Sequence, residues 1–358
     1  MTDDAQDSFT ALGMSYGIDE TDLSLVHALQ LDPRAPWTKV GAALDLDPVT
    51  VARRWARMAD AGLAWVTPQL GQGQSARVFT AVVEVHCEAG RSLVVAETLA
   101  RRPHAFTVEH TTGSRDLLVT VAVPSLAALS RYLVESLGAL PGVRETRSHL
   151  VTSVHAQGGD WRPRALDPRQ RARLAADGGP ERATAAGARR LTAQDRELML
   201  RLCADGRAPL TSLADELGVS VSTVRRRLQA LVAGGDLELR CEVAQPMSGW
   251  PIATWLLAEV PGAEREDIAR QLAELPETRV CLGLTGSRGN LSYSAWLRSL
   301  DDAERLEQLL AQRFPRLVVL DRAVVLRFVK RMGRLLDPVG RSVGVVPMDV
   351  WSDPFEGS

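Results

Sequence analysis

The sequence predicts an α+β chain of two tandem units. Each is a helix-turn-helix (winged-helix-like) domain followed by a βαββαβ, ferredoxin-like domain. Two observations carry this reading. The first is an internal repeat. A constant offset of 173 takes Asp22, Leu25 and Leu29 onto Asp195, Leu198 and Leu202, and Arg34-Ala35-Pro36 onto Arg207-Ala208-Pro209. The same offset takes Arg53-Arg54 onto Arg226-Arg227 and Thr112-Gly113-Ser114-Arg115 onto Thr285-Gly286-Ser287-Arg288. One register held over so long a stretch is the mark of a tandem duplication. The second is a change of apolar period inside each unit, from helical to alternating.

Each unit opens with three helices. In the first, Asp22, Leu25, Val26 and Leu29 recur at helical spacing over Ile18 to Leu31. A second helix is expected from about Trp37 to Asp45, with Gly41 small at a helix crossing. The third begins near Asp47-Pro48, because aspartate caps a helix well and proline is tolerated at its first position. Val51, Trp55 and Met58 form its buried face. The second unit repeats this from Leu191 to Val232, with Ala214 in the small position. After each third helix comes glycine and a short alternating strand, Leu63 to Thr67 and Leu237 to Val243, each a candidate wing.

The period then changes. Val78 to Cys87, Ala105 to Thr111, Leu117 to Val123 and Val143 to Val154 read as strands. Helices are marked by Leu93, Ala96 and Leu99 and by Leu126, Leu129, Leu133 and Leu137. The order is βαββαβ, the split unit of ferredoxin-like folds. In the second half the strands are Thr254 to Val260, Val280 to Leu284, Leu291 to Leu297 and Leu317 to Phe328. Ile268, Leu272 and Leu275, then Leu306, Leu309 and Leu310, mark its helices. The expected domains are therefore 1–68 and 191–243 (helix-turn-helix) and 76–155 and 250–336 (ferredoxin-like). Residues 156–190 read as a solvated, Arg-rich linker with a short helix near Arg169 to Ala175. The tail 337–358 carries Val345-Val346 and Trp351 and should pack rather than float.

Composition bounds the function. The net charge of −2 rules out a generally basic protein, so any nucleic-acid surface must be local. Cys87, Cys203, Cys241 and Cys281 are far apart, which suits buried free thiols better than a metal site. No metal or cofactor is expected. No apolar run approaches a membrane span and Met1 to Thr10 has no signal core, so a cytosolic protein with no membrane partner is expected.

The chemistry concentrates in the third helices. In Leu217-Gly218-Val219-Ser220-Val221-Ser222-Thr223-Val224-Arg225-Arg226-Arg227-Leu228, Gly218 permits a left-handed corner and Ser220 caps the helix that follows. Val221, Val224 and Leu228 face inward. That leaves Ser222, Thr223, Arg225, Arg226 and Arg227 outward, with Ser220 at the helix start a further candidate contact, a face suited to the major groove of double-stranded DNA. In the first unit Thr50, Arg53, Arg54 and Arg57 are the corresponding candidates. Asp47-Pro48-Val49 replaces Ser220-Val221-Ser222 there, removing two hydroxyls and adding a negative charge, and Asp45 replaces Gly218. The first head should bind DNA more weakly, and two unequal heads predict asymmetric half-sites.

The three-helix domain, connecting strand, βαββαβ domain and Thr-Gly-X-X-Asp turn together resemble the leucine-responsive/asparagine-regulator (Lrp/AsnC) family of transcription factors. The resemblance covers nearly the whole chain, twice, and makes the chain look like a covalent pseudo-dimer. It implies sequence-specific DNA binding, sensor domains that dimerise, and a small effector, often an amino acid, near the turn at subunit contacts. Those positions are Thr112, Gly113, Ser114, Arg115 and Asp116, and Thr285, Gly286, Ser287, Arg288 and Asn290. Gly289-Asn290 replaces the second aspartate, so the first turn is the better ammonium site. A homodimer or higher homo-oligomer is implied as well.

Two other readings stay open. Siroheme decarboxylases share this architecture, occur as fused chains and depend on His and Arg in the sensor-like domain. His86, His104, His110, His149 and His155 lie in the first sensor, whereas Thr254 to Lys330 contains no histidine, and no catalytic set with supporting context is visible. The other reading is an interaction module that has lost DNA binding.

Overall fold

The computed structural model describes residues 17–175 and 190–355. The first sixteen residues, 176–189 of the expected linker and the last three lie outside the described residues. The first head holds α1 (Glu20–Leu31), α2 (Trp37–Leu44) and α3 (Pro48–Asp60), and the second holds α8 (Ala193–Ala204), α9 (Leu210–Leu217) and α10 (Val221–Ala233). Asp19 begins α1 and Thr192 begins α8 with the same capping box, closed by Asp22 and Asp195 respectively. Asp47 accepts the Val49 and Thr50 N–H groups at the start of α3, and Ser220 accepts Thr223 N–H at the start of α10. Asp45 adopts the same left-handed corner as Gly218, with φ 55° against 64°. The first turn thus keeps the second's geometry, and aspartate is among the few side chains that tolerate it.

Strands β1 (Ala64–Leu70) and β6 (Leu237–Val243) follow the heads. They do not form wings. They pair with each other, antiparallel, from Ala64 opposite Val243 to Leu70 opposite Leu237. A one-turn helix α4 (Gln72–Ser75) then leads into the first sensor: β2 (Phe79–Cys87), α5 (Ser92–Ala100), β3 (Ala105–Thr111), β4 (Leu117–Val123), α6 (Leu126–Arg131, continued as a π-helix over Tyr132–Gly138) and β5 (Val143–Ala156). The second sensor is β7 (Ile252–Glu259), α11 (Arg265–Ala273), β8 (Thr278–Thr285), β9 (Leu291–Leu297), α12 (Asp301–Arg313) and β10 (Val318–Arg331).

Each sensor sheet is four-stranded, and two seams join them. β5 pairs with β8 and β10 pairs with β3, so the strands close into a ring, β3-β4-β2-β5-β8-β9-β7-β10. Closure removes the exposed edges that each sheet would carry alone. The sensor helices cover the outer faces, giving one apolar core around Val83, Leu99, Leu117 and Tyr132 and another around Leu256, Leu272, Tyr293 and Leu310. Inside the ring, Val82, Leu118, Trp255, Leu257 and Leu284 pack across from sheet to sheet.

The stretch expected to be a solvated spacer contributes structure where it is described. Trp161, Leu166 and Leu174, the last on α7 (Pro168–Ala175), are buried in the first head's core. Arg173 of α7 donates to Ala42 O and to the Asp45 carboxylate, at 3.0 and 2.7 Å. The tail also packs: β11 (Arg334–Leu336) and β12 (Ser342–Val345) extend the sheet beyond β10, and Ser352 O lies 2.9 Å from His104 Nε2. The four cysteines are free and buried. Among the described residues no helix is long and apolar enough to cross a membrane.

A reciprocal pair of arginines holds the heads together. Arg34 donates to Gly206 O and Ala208 O, at 2.6 and 2.8 Å, and its repeat partner Arg207 donates to Pro33 O and Ala35 O, at 2.6 and 2.9 Å. Arg207 also lies 3.9 Å above the Trp37 ring. Each guanidinium is a fork that matches two carbonyls in a fixed geometry. Arg207→Ala should therefore cost about 2–3 kcal/mol, since charge-assisted hydrogen bonds and a cation–π contact are lost together. Thermal unfolding checks the loss, and Arg207→Lys, which keeps the charge and loses the fork, should recover little of it.

Candidate DNA interface and ligand sites

Each third helix is fixed to the start of its head through arginine. Arg54 donates to Asp19 and Asp22, at 2.7 and 3.0 Å, and its counterpart Arg227 donates to Asp195 at 3.0 Å and to Gln194. Asp22 and Asp195 are the buried capping aspartates, so one carboxylate closes the cap and anchors the third helix. Arg57 is spent the same way, on Asp22 and on Gly17 O. Three of the six arginines expected at DNA are thus committed to scaffold bonds.

The remaining exposed face differs sharply between the heads. On α10, Ser222, Arg225 and Arg226 are exposed, Thr223 is half-buried, and neither arginine has a partner among the described residues. The Ser220 hydroxyl holds those of Ser222 and Thr223 at 2.9 Å each. On α3 the repeat places Val49 and Ala52 opposite Ser222 and Arg225, and Val49 is 75% exposed. That face keeps Thr50 and Arg53, the latter exposed and without a partner among the described residues. It offers an apolar tip and one free guanidinium where α10 offers hydroxyls and two.

The two sensor turns are structurally equivalent despite the one-residue offset at their ends. The Asp116 carboxylate accepts Cys87 N–H at 2.7 Å, while the Asn290 amide accepts Val260 N–H at 3.0 Å and donates to Val260 O at 2.8 Å. Cys87 and Val260 are repeat partners, so Asn290 is the true counterpart of Asp116. Arg115 turns inward, fully buried, to Glu84 at 3.1 Å and to Asp321, with its guanidinium 4.5 Å from the Trp255 ring. Ser114 donates to Asp321 at 2.7 Å. Glu84 meets His149 at 2.9 Å and His149 meets Ser287 at 3.0 Å, so a buried polar chain runs from one turn to the other. Burial opposes charge on Glu84, but His149 and Arg115 outweigh it and hold its carboxyl below the usual range. Arg288 points outward to Glu259 instead. Thr112 exchanges bonds with Val324 and lines a cavity of about 110 Å³ against α12. Gly113, Thr285 and Gly286 are exposed at the tips.

A far larger cavity, about 630 Å³, lies inside the ring. Its walls come from the inward faces of both sheets, from β1 and β6, from Met199 and Cys203 of α8, and from the tail at Met348 to Trp351. Thr80, Thr107, Thr120, Ser153, Ser292 and Ser294 supply much of the polar wall. None of these residues belongs to a motif visible in the sequence. Their signal is weak but present, as period-two positions holding Thr or Ser where an inward strand face would hold a branched apolar residue. Glu109 is also on this wall, and burial, only partly opposed by Arg331, raises its carboxyl to about 7. Of the six histidines only His155 lines the cavity, with Ser153 Oγ 2.8 Å from its Nε2.

Where β6 meets the ring, Glu242 is buried against three arginines. It pairs with Arg240, with Arg279 at 2.6 Å and with Arg331 at 3.1 Å. Arg279 and Arg331 also lie 4.1 and 5.1 Å from the Trp296 ring.

A sequence model of the Lrp/AsnC ligand binding domain matches residues 80–160, and one of the AsnC-type helix-turn-helix domain matches residues 18–59 and 191–232. The HTH-type transcriptional regulator LrpA of Mycobacterium tuberculosis is 30% identical over 118 residues, 32% of this chain and 76% of that protein. The HTH-type transcriptional regulator FL11 of Pyrococcus horikoshii is 28% identical over 149 residues, 40% of this chain and 95% of that protein. Such a relative therefore corresponds to one unit of the two. A crystal structure of the siroheme decarboxylase NirDL with an iron-uroporphyrin III analogue shares the fold over 88% of this chain and 93% of that one, with a TM-score of 0.56 and 15% identity.

Proposed function

The chain belongs to the Lrp/AsnC family of transcriptional regulators, and from that premise we propose that it binds double-stranded DNA through two unequal heads, with α10 as the main source of specificity. The observation that carries this is the exposed Arg225–Arg226 pair beside the Ser222 and Thr223 hydroxyls, set against Val49 and Ala52 on α3. Guanidinium groups and hydroxyls recognise base edges and phosphates together. Because β1 pairs with β6, and Arg34 and Arg207 each donate to backbone carbonyls of the other head, the heads form one rigid pair, and one chain presents both. This suits a single asymmetric site whose half-sites keep a fixed spacing. A small effector, amino acids among the candidates, acts through the sensor ring by favouring one arrangement of the heads. Homodimers or larger assemblies of the whole chain are proposed on the same family ground.

We read the protein as a regulator rather than an enzyme. His149 is held between Glu84 and Ser287, His104 lies against Ser352, and only His155 reaches the large cavity, so the histidines do not converge on one reacting centre. The test is a shift assay on the DNA upstream of the chain's own gene at rising salt. Specific binding should weaken with a log–log slope of about −0.9 per neutralised phosphate. Absence of any specific shift would overturn the reading in favour of an interaction module. Tight binding of an iron tetrapyrrole in an absorbance titration would favour the enzyme.

A further inference from the structure

The wall of the large cavity holds one charged side chain that the fold leaves without a hydrogen bond among the described residues. Arg240 spends its charge on Glu242 and donates to Gln69 at 3.0 Å. Glu238 accepts Gln69 and Gln157, at 2.7 and 3.0 Å. Asp160 accepts Gln157 N–H, and His155 is shared between Ser153 and Glu266. Glu109 alone among these charged wall residues has no hydrogen-bond partner among the described residues. Arg331, its electrostatic neighbour, gives Nη2 to Glu242 and to Val243 O. The duplication sharpens the point, because the repeat partner of Glu109 is Leu282, which lines the same cavity. The charged wall group left without a hydrogen bond is therefore a carboxylate on one side, with Phe106, Trp255, Met332 and Met348 among the apolar wall residues.

We propose that this cavity is a binding site for an organic ammonium ion with an apolar body, Glu109 being its counter-ion. An unpaired carboxylate in a wall this apolar is best satisfied by a cation that brings its own hydrogen-bond donors. Aromatic rings and thioethers suit the remainder of such a ligand. Met199 and Cys203 belong to α8 of the second head, so the ligand touches the domain that carries α10 as well as both sensor sheets. On the regulator reading above, this site is where the effector acts.

The test uses the full-length protein and calorimetry with two amines, tryptamine and phenethylamine. Their carboxylate analogues, indole-3-propionate and 3-phenylpropionate, are run beside them. The amines should bind and the carboxylates should not. Glu109→Gln should weaken amine binding at least about tenfold, which is the scale of a lost charge-assisted bond. Glu109→Asp should restore part of it, and the exposed control Glu145→Gln should change nothing. Far-ultraviolet circular dichroism confirms that each variant is folded. Failure of both amines, equal or better binding of the carboxylates, or unchanged affinity in Glu109→Gln overturns the proposal. The amine should also shift DNA affinity in the wild type and not in Glu109→Gln. DNA affinity measured without amine tests the regulator reading separately, so either can fail while the other stands.

Discussion

Replacing Arg225 and Arg226 together by alanine is expected to weaken specific DNA binding by about 100-fold or more, and Arg53→Ala by about five- to tenfold. A well-placed contact to a base edge contributes about 1–3 kcal/mol, and α10 loses two free guanidinium groups where α3 loses one. The salt slope should become shallower by about 0.9 for each phosphate contact removed. Arg227→Ala is the instructive contrast. Arg227 is fixed to the buried Asp195, so its loss takes the guanidinium partner from a buried carboxylate and should lower the melting temperature of the protein. A shift assay over a range of salt, paired with thermal unfolding, separates the two effects. Loss of DNA binding equal in Arg53→Ala and in the double variant would show that the heads contribute equally, against the asymmetry of their exposed faces.

That contrast also shows how far the sequence could be read. Apolar periodicity marks the three helices of each head and the strands of each sensor, and the bounds at Ala105–Thr111, Leu117–Val123 and Leu291–Leu297 agree with the structure to the residue. Each of these elements advertises its buried face locally. Pairing between elements is not local. Nothing in the alternation of Val143–Ala156 says that its free edge meets β8, or that the strands after the heads pair with each other instead of forming wings. The repeat exposed Arg34 and Arg207 as equivalent, but it could not say that each grips the other's head. Arg54, Arg57 and Arg227 look like DNA contacts because outward arginine on a third helix is indistinguishable, in sequence, from arginine bent back to a capping aspartate. Asp116 and Asn290 are ambiguous in the same way, since a polar side chain in a turn can bind a ligand or tie the turn to its neighbours, and here each bonds backbone at the end of an adjacent strand, Cys87 and Val260. The large cavity was least legible, being a property of two sheets facing each other.

The Glu242 cluster is the extreme of this non-local kind, and it carries the largest expected effect on stability. Its four members have uncharged counterparts in the first unit: Gln69 for Glu242, Thr67 for Arg240, Phe106 for Arg279 and Gly158 for Arg331. A Cβ on Gly158 would lie 3.0 Å from the Arg279 guanidinium carbon, so the missing side chain makes room for the cluster. The charges therefore occur once per chain, at the junction of the head strands with the ring, and the two halves are no longer interchangeable. Burial alone would raise the Glu242 carboxyl, but Arg240, Arg279 and Arg331 outweigh it and hold it down to about 2. Burial likewise depresses Arg279, to about 9, although Glu242 opposes the shift. A carboxyl held below its unfolded value contributes stability that is present above about pH 4.5 and is lost as the pH falls towards 2. Glu242→Gln removes the only carboxylate among the described residues bonded to these three buried guanidinium groups and should cost about 3–5 kcal/mol, or about 4–7 °C in melting temperature. Thermal unfolding at pH 7 and pH 3 decides the matter. The deficit should be large at pH 7 and smaller at pH 3, where the native carboxylate has begun to lose its advantage over the unfolded chain. A variant as stable as the wild type at pH 7 would mean that the arginines are balanced by something other than Glu242.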